Sequence, residues 1–152
     1  MEFKNPMLVV EDIDKAVEFY KKVLGLHVIM DFGTNKTLTG GVVLQTVETY
    51  RDFIGTDEIS FGNNDFEIYF EEDDFDNFAK KLEKCDVQYV HSIKEHAWGQ
   101  RVVRFYDPDW HIIEVGENIK VVCRRFLDSG MTPEQVAERM DVPMKFVSGC
   151  MR

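Results

Sequence analysis

The feature that most constrains the fold of this 152-residue chain is an internal repeat. Two acidic helix starts, Asp12 and Asp74, lie 62 residues apart, and the apolar positions after them recur at the same separation. Later in each half the separation is 69 residues, which aligns Gln45 with Glu114. Two tandem βαβββ modules are the simplest interpretation of this recurrence. The matching apolar pairs are Ile13 with Phe75, Ala16 with Phe78, Val17 with Ala79, and Tyr20 with Leu82.

Strand and helix signals follow the same division. The spacing of apolar residues predicts helices that begin at Asp12 or Asp14 and at Asp73 or Asp74, and Gly25 is expected to end the first. The segment 32–39 is polar and is expected to be a turn, and 49–57 is expected to be a connector with a helical turn. Strands are predicted at 5–10, 26–31, 41–47, 66–71, 87–91, 100–106 and 111–115.

The predicted fold class is α+β. Two tandem βαβββ modules, at about 1–56 and 57–117, are expected to form a curved mixed sheet, a half-barrel with its helices outside. A C-terminal helical extension is expected to span 118–152.

Composition excludes several partner classes. The formal net charge of −10 and the isoelectric point near 4.8 argue against nucleic acid and against an anionic membrane surface. No stretch approaches the roughly 20 apolar residues of a membrane-spanning helix, and the N-terminus lacks the pattern of a signal peptide. Three widely spaced cysteines indicate reduced thiols. A cytoplasmic location is expected.

The repeat selects four positions with an oxygen-bearing side chain in a strand, each facing away from its own helix. They are Asn5, Gln45, Glu67 and Glu114. Glu114 lies in an apolar strand, so its carboxylate must face a wet cavity, pair with a cation or bind a metal. If the two modules curve into one sheet, the four side chains line a shared concavity, where a small-molecule site is expected.

The segments NPMLVVEDIDKAVEFYKKVLGL and WGQRVVRFYDPDWHIIEVGE resemble the vicinal oxygen chelate superfamily over about residues 1–117. That group includes glyoxalase I, bleomycin-resistance proteins, fosfomycin-resistance thiol transferases and extradiol dioxygenases. The resemblance implies a divalent metal held by one residue from each of four strands, and the four ligand positions fall on Asn5, Gln45, Glu67 and Glu114.

The ligand set departs from the family pattern, because Asn5 is short and Glu67 stands where an imidazole is usual. A set without imidazole favours oxygen-preferring ions such as Mg²⁺, Mn²⁺ or Ca²⁺. Two alternatives stay open: a divalent metal (Mg²⁺, Mn²⁺, Ni²⁺ or Zn²⁺), or no metal and a proton shared between carboxylates.

Four further residues are candidates for substrate binding. Arg104 and Tyr106 alternate with two apolar residues and are expected to face the cavity. Arg104 suits a carboxylate or phosphate, and the alternative is an ion pair with Glu114 or Glu67. His96 and Trp98 lie in the loop that lengthens the second module, where specificity residues are common; the alternative is an exposed histidine beside a packed tryptophan.

Other histidines and one turn residue receive structural interpretations. His27, His91 and His111 are isolated on strands and are expected to be structural or solvent-facing. Trp110 stands in the DPDW turn where the family commonly has glycine, so a different turn or a strained one is expected; a surface aromatic that contacts a partner is a further possibility.

Within the extension, the segment 130–151 (GMTPEQVAERMDVPMKFVSGCM) resembles a helix-turn-helix core, with a capping box at Thr132 and Pro133 in the first helical position. From Gly116 onward the chain has six basic and five acidic residues, so it lacks the strong excess of positive charge that is typical of DNA-binding segments. Packing on the body or against a second subunit is the favoured interpretation.

Two functions remain open at this stage. The first is a glyoxalase-type lyase or isomerase, in which Glu114 and Glu67 are catalytic and a cluster with Gln45 polarises a carbonyl. The alternative is a metal-free protein that sequesters a small molecule, as bleomycin-resistance proteins do. A ligand-sensing regulator that uses the C-terminal helices is the third and weakest hypothesis. A homodimer is expected by resemblance, with a small molecule as ligand.

Overall fold

The computed structural model describes residues 1–151 and contains two four-stranded sheets of identical topology. The first sheet has the order β1-β4-β3-β2 and the second the order β5-β8-β7-β6, so the repeat maps one sheet onto the other. The predicted α+β class with two tandem βαβββ modules is therefore confirmed. The strands are β1 (Met7–Val10), β2 (Val28–Asp31), β3 (Asn35–Leu38), β4 (Val43–Thr46), β5 (Glu67–Glu72), β6 (Gln88–Glu95), β7 (Arg101–Tyr106) and β8 (Ile112–Glu117).

The chain divides into two compact units. The first unit comprises Met1–Glu67, Cys85–Gln88 and Tyr106–Ile112, and the second comprises Ile68–Lys84, Tyr89–Phe105 and the chain from Ile113 onward. The helices are α1 (Ile13–Leu24), α2 (Val47–Ile54), α3 (Phe75–Leu82), α4 (Ile119–Asp128), α5 (Pro133–Met140) and α6 (Met144–Cys150). No helix among residues 1–151 combines the length and apolar character needed to cross a membrane.

Helix α1 begins and ends where its capping residues predict. The Asp12 carboxylate accepts hydrogen bonds from the backbone N–H groups of Asp14 and Lys15, which satisfies the first turn. Gly25 ends the helix at φ +71°, in the left-handed region that glycine adopts without a steric cost. The helix buries one face, formed by Ala16, Tyr20 and Val23.

Two elements of the first module differ from the sequence predictions. The segment 32–39 was expected to be a turn, which is wrong for Asn35–Leu38, because this polar stretch pairs antiparallel with β2 on one side and β4 on the other. Only Leu38 of this strand is buried, so its side chains carry little strand signal. Strand β4 also ends at Thr46, and Val47 begins α2 rather than prolonging the strand.

The turn between β7 and β8 keeps the left-handed backbone that glycine usually provides. Trp110 has φ +67°, and its N–H donates to the carbonyl of Asp107 at 3.1 Å. The strained alternative is thus the one the chain adopts, and the ring is exposed.

The C-terminal helices α4, α5 and α6 form a buried cluster of their own within the second unit. The capping box is present at Thr132, whose hydroxyl accepts from the Gln135 N–H while the Gln135 side chain accepts from the Thr132 N–H. Helix α4 meets the β6–β7 loop, because the Arg125 guanidinium donates to the Gly99 carbonyl at 2.7 Å. The boundary between 1–117 and 118–152 stays a prediction. The cluster consists of Val122, Cys123, Val136, Met140, Val147 and Cys150.

Candidate functional site

Glu114 is buried in the middle of β8, and a cation on the adjacent strand neutralises it. The Arg104 guanidinium on β7 donates through Nη2 to Glu114 Oε2. Glu114 is 6% exposed, so its charge needs such a partner. Arg104 was expected either to bind a substrate anion or to form an ion pair with Glu114 or Glu67, and the structure contains the ion pair with Glu114.

His91 extends this pair to a third strand. Its Nε2 lies 3.2 Å from Arg104 Nη1, and its Nδ1 lies 2.8 Å from the carbonyl oxygen of Ser92. A carbonyl only accepts and a guanidinium only donates, so these contacts fit a neutral ring with the proton on Nδ1. The polar row His91, Arg104, Glu114 therefore crosses β6, β7 and β8. His91 was predicted from sequence to be structural or solvent-facing. Its contact with Arg104 depends on how the strands pair, which the sequence pattern does not show.

In the first unit, Gln45 is 2% exposed at the centre of β4, and its amide is held at both ends. Its Oε1 accepts from Asn35 Nδ2 at 2.7 Å, and its Nε2 donates to the Thr49 hydroxyl. Asn5 precedes β1 and is exposed, and its Nδ2 donates to the carbonyl of Gly41 at 2.7 Å. Both ends of the Gln45 amide and the Nδ2 of Asn5 are thus engaged by protein groups.

Glu67 opens β5 with an exposed side chain, and its catalytic role stays a prediction. The same holds for Asn5 as a ligand. No group of three or more His, Cys, Asp or Glu side chains suited to a metal ion occurs within residues 1–151.

The donor set as arranged does not fit a resident divalent ion. The carboxylate of Glu114 is already paired with a guanidinium, and the amide oxygen of Gln45 already accepts a hydrogen bond. An ion would have to displace Arg104 and leave that cation without its carboxylate partner, which is costly for a buried pair.

His96 and Trp98 form a stacked pair in the second unit. Their ring centroids are 4.2 Å apart with an interplanar angle of 19°. Trp98 Nε1 donates to Gln100 Oε1 at 3.1 Å, and Gln100 Nε2 donates to the Tyr69 hydroxyl at 2.8 Å. The tryptophan is 38% exposed, so a fixed aromatic surface remains available to a ligand. Tyr69 and Gln100 were not among the predicted site residues, although Tyr69 shares a strand face with Glu67.

The electrostatic environment favours a neutral His96. Burial lowers the pKa of its imidazole, and the positive charge of Arg104 lowers it further. The uncharged ring can stack on Trp98 and exchange one hydrogen bond with a ligand at neutral pH.

Tyr106 belongs to the first unit, where it has different neighbours. Its hydroxyl donates to Asn64 Oδ1 at 2.9 Å, and its ring centroid lies 5.2 Å from that of Trp110. It lines a cavity of about 370 Å³ with Phe19, Val87 and Pro108 among its walls. A role for Tyr106 in substrate binding stays a prediction.

Comparison with known proteins identifies relatives across most of the chain. The model of the glyoxalase-like domain family matches residues 3–120. The Bacillus subtilis protein YraH, described as uncharacterized, is 31% identical over 132 residues, which cover 76% of this chain and 97% of YraH.

Solved structures of similar fold also match most of the chain. A protein of unknown function from Agrobacterium tumefaciens has 36% sequence identity and a TM-score of 0.71, and the match covers 78% of this chain and 94% of that one. A glyoxalase/bleomycin resistance protein/dioxygenase from Nocardioides has 17% identity and a TM-score of 0.63, covering 77% of this chain and 83% of the other. This last likeness concerns the fold alone.

Proposed function

The chain belongs to the family of glyoxalase-like domains, and on that premise we propose that it is a metal-independent small-molecule-binding protein. The observation that supports this most directly is the ion pair between Arg104 and Glu114. In this pair a guanidinium supplies the positive charge that a divalent ion supplies in the metal-dependent members that the chain resembles. The binding alternative is therefore preferred to a metal-dependent lyase or isomerase.

The ligand is proposed to lie against the second unit at Trp98, His96 and Arg104. The exposed Trp98 ring offers an aromatic surface, and the His96 stack fixes its orientation. A guanidinium is planar and always charged, which suits it to an oxygen atom of a ligand, and Arg104 is proposed to lie beside such an oxygen.

Metal content tests the proposal first. Protein purified without chelator or affinity tag should contain no stoichiometric metal, and its melting temperature should not rise with Mn²⁺, Mg²⁺, Ni²⁺ or Zn²⁺. The Arg104→Met variant should be destabilised by about 3–5 kcal/mol, because it leaves the buried Glu114 carboxylate without its cation. Glu95→Gln is a matched control, since Glu95 pairs with Arg139 at 3.7 Å in a half-exposed pair worth at most about 1 kcal/mol.

Two results would count against the proposal. Stoichiometric metal that disappears in Glu114→Gln would restore the metal site. Turnover of α-ketoaldehyde hemithioacetals or epimerisable acyl compounds, lost in Glu114→Gln, would favour the glyoxalase-type enzyme instead.

Location and assembly belong to the same proposal. We propose a cytoplasmic homodimer, as the family resemblance and the reduced state of Cys85, Cys123 and Cys150 suggest. Sedimentation equilibrium measures the assembly, and a monomer at micromolar concentration would contradict it.

A further inference from the structure

Asp107 and His111 form a carboxylate–imidazole pair across the turn between β7 and β8. His111 Nδ1 lies 2.8 Å from Asp107 Oδ2, and the backbone N–H of His111 donates to Asp107 Oδ1 at 2.8 Å. The left-handed Trp110 reverses the chain between them, so that two residues four apart face each other.

The carboxylate of Asp107 is held rigidly. Its side chain is fully buried, and Oδ2 also accepts a hydrogen bond from the Tyr20 hydroxyl at 2.8 Å. Burial and the charge of Asp107 raise the pKa of Tyr20 well above its ordinary value, so the phenol keeps its proton and remains a donor. The neighbouring Asp109 accepts from the Glu11 N–H at 2.8 Å, which fastens the turn beside β1.

This arrangement fixes the imidazole in one tautomer. Every recorded partner of the Asp107 carboxylate is a donor, so the His111 proton lies on Nδ1 and Nε2 carries the lone pair when the ring is neutral. Within residues 1–151 no hydrogen bond to His111 Nε2 is recorded. The imidazole is 18% exposed, and since Nδ1 is turned to the buried carboxylate, the edge with Nε2 is the accessible one.

His111 lines a cavity of about 380 Å³ that lies wholly within the first unit. This volume is within the range of about 300–1,000 Å³ typical of small-ligand sites. The Phe61 ring stands edge-on to the imidazole, with centroids 6.3 Å apart. Apart from His111, the polar side chains of the lining are those of Tyr50, Glu58 and Ser60, and the apolar walls include Met7, Val9, Ile54, Ile59, Phe61 and Phe66.

We propose that this cavity binds a small, neutral, largely apolar molecule with one hydroxyl or N–H donor, which hydrogen-bonds to His111 Nε2. The charges select the class: an anion would face the carboxylate of Glu58 on a chain of net charge −10, whereas an uncharged ring or alkyl group suits the apolar walls. A structural role explains the bonds of Asp107 within its turn. It does not require an imidazole of fixed tautomer to line a cavity.

The probe is 4-fluorophenol, followed by ¹⁹F NMR at about pH 8, where the phenol keeps its proton because the ordinary pKa of a phenol is about 10. Its matched partner is 4-fluoroanisole, which has the same ring but no donor. Wild-type protein should bind the phenol about three- to tenfold more tightly than the anisole, the ratio expected for one hydrogen bond. In His111→Phe that preference should vanish.

His27→Phe is the control, because it makes the same substitution at an exposed position outside the cavity lining. It should retain the wild-type preference. The proposal is overturned if neither probe binds, if wild-type protein does not distinguish them, or if His111→Phe keeps the preference. Since the proposed function is tested with metal ions and Arg104, the two proposals can fail independently.

Discussion

Replacing Gly99 by alanine should destabilise the second unit more than the backbone conformation alone accounts for. Gly99 has φ +88°, and an alanine there costs about 1–2 kcal/mol for the left-handed conformation. A Cβ at this position would also lie 2.2 Å from Phe126 Cζ and 2.6 Å from Cε2. Both separations are far inside van der Waals contact, so the ring must move.

The Phe126 ring has little room to retreat. The guanidiniums of Arg125 and Arg139 lie 5.1 and 5.9 Å from its centroid, and it packs on the buried cluster of α4, α5 and α6. Displacing a packed side chain in this way costs about 1–3 kcal/mol. The total expected loss for Gly99→Ala is therefore about 2–5 kcal/mol.

Gly130→Ala isolates the conformational part of this loss. Gly130 has a similar φ of +94°, and a Cβ there would meet no atom within 4 Å. Urea denaturation followed by circular dichroism should give a loss of about 1–2 kcal/mol for this control, with an unchanged m-value. Equal losses in the two variants would refute the reasoning, because they would show that Phe126 does not pack on the Gly99 turn.

Three further predictions concern the carboxyl of Glu117, the helix cap at Thr132 and the reactivity of the cysteines. Burial tends to raise the pKa of Glu117, but the hydrogen bonds from Arg101 outweigh this effect, so the pKa is lowered. The ionised carboxylate therefore stabilises the folded state above the ordinary pKa of about 4.3, and this stabilisation is lost as the pH falls through the folded-state pKa. Glu117→Gln should therefore flatten the acid limb of a pH-dependent melting series, and an unchanged limb would contradict the assignment. Thr132→Ala removes the capping box and should cost about 1 kcal/mol by urea denaturation, whereas no loss would mean that α5 adds nothing to stability. Burial and the contact with Cys150 raise the pKa of Cys123 to about 12, so Ellman's reagent at about pH 8 should modify the half-buried Cys85 first, and fast modification of Cys123 would disprove its burial.

The elements that were predicted from sequence are those fixed by local chemistry. Asp12, Gly25 and Thr132 each satisfy or terminate a helix end through groups within four residues of themselves, so the pattern alone identifies them. Strand β3 is different, since its four residues are mostly polar and form a strand because β2 and β4 supply backbone partners on both sides. Such pairing is a long-range event and has no local signal.

The same distinction explains which part of the site was predictable. Because Glu114 lies among apolar residues in the sequence, its carboxylate was expected to face a wet cavity, to pair with a cation or to bind a metal. Choosing among the three requires the pairing of β7 with β8, which brings Arg104 beside it. His91 joins through the same pairing one strand further on, so neither contact is visible in a single strand's pattern.

The Asp107–His111 pair shows how a turn can hide a functional geometry. In the sequence, DPDWH indicates a turn, and each residue has a sufficient local explanation: Asp107 as a turn carboxylate and His111 as the first residue of a strand. The informative departure is Trp110, which accepts about 1–2 kcal/mol of left-handed strain where glycine would accept none. Strain of this kind persists only where the surrounding structure determines the conformation, and here the Asp107 carboxylate holds both the backbone and the ring of His111 while Tyr20 holds the carboxylate. The turn therefore does more than reverse the chain, because it fixes the tautomer of an imidazole that lines a cavity of the first unit.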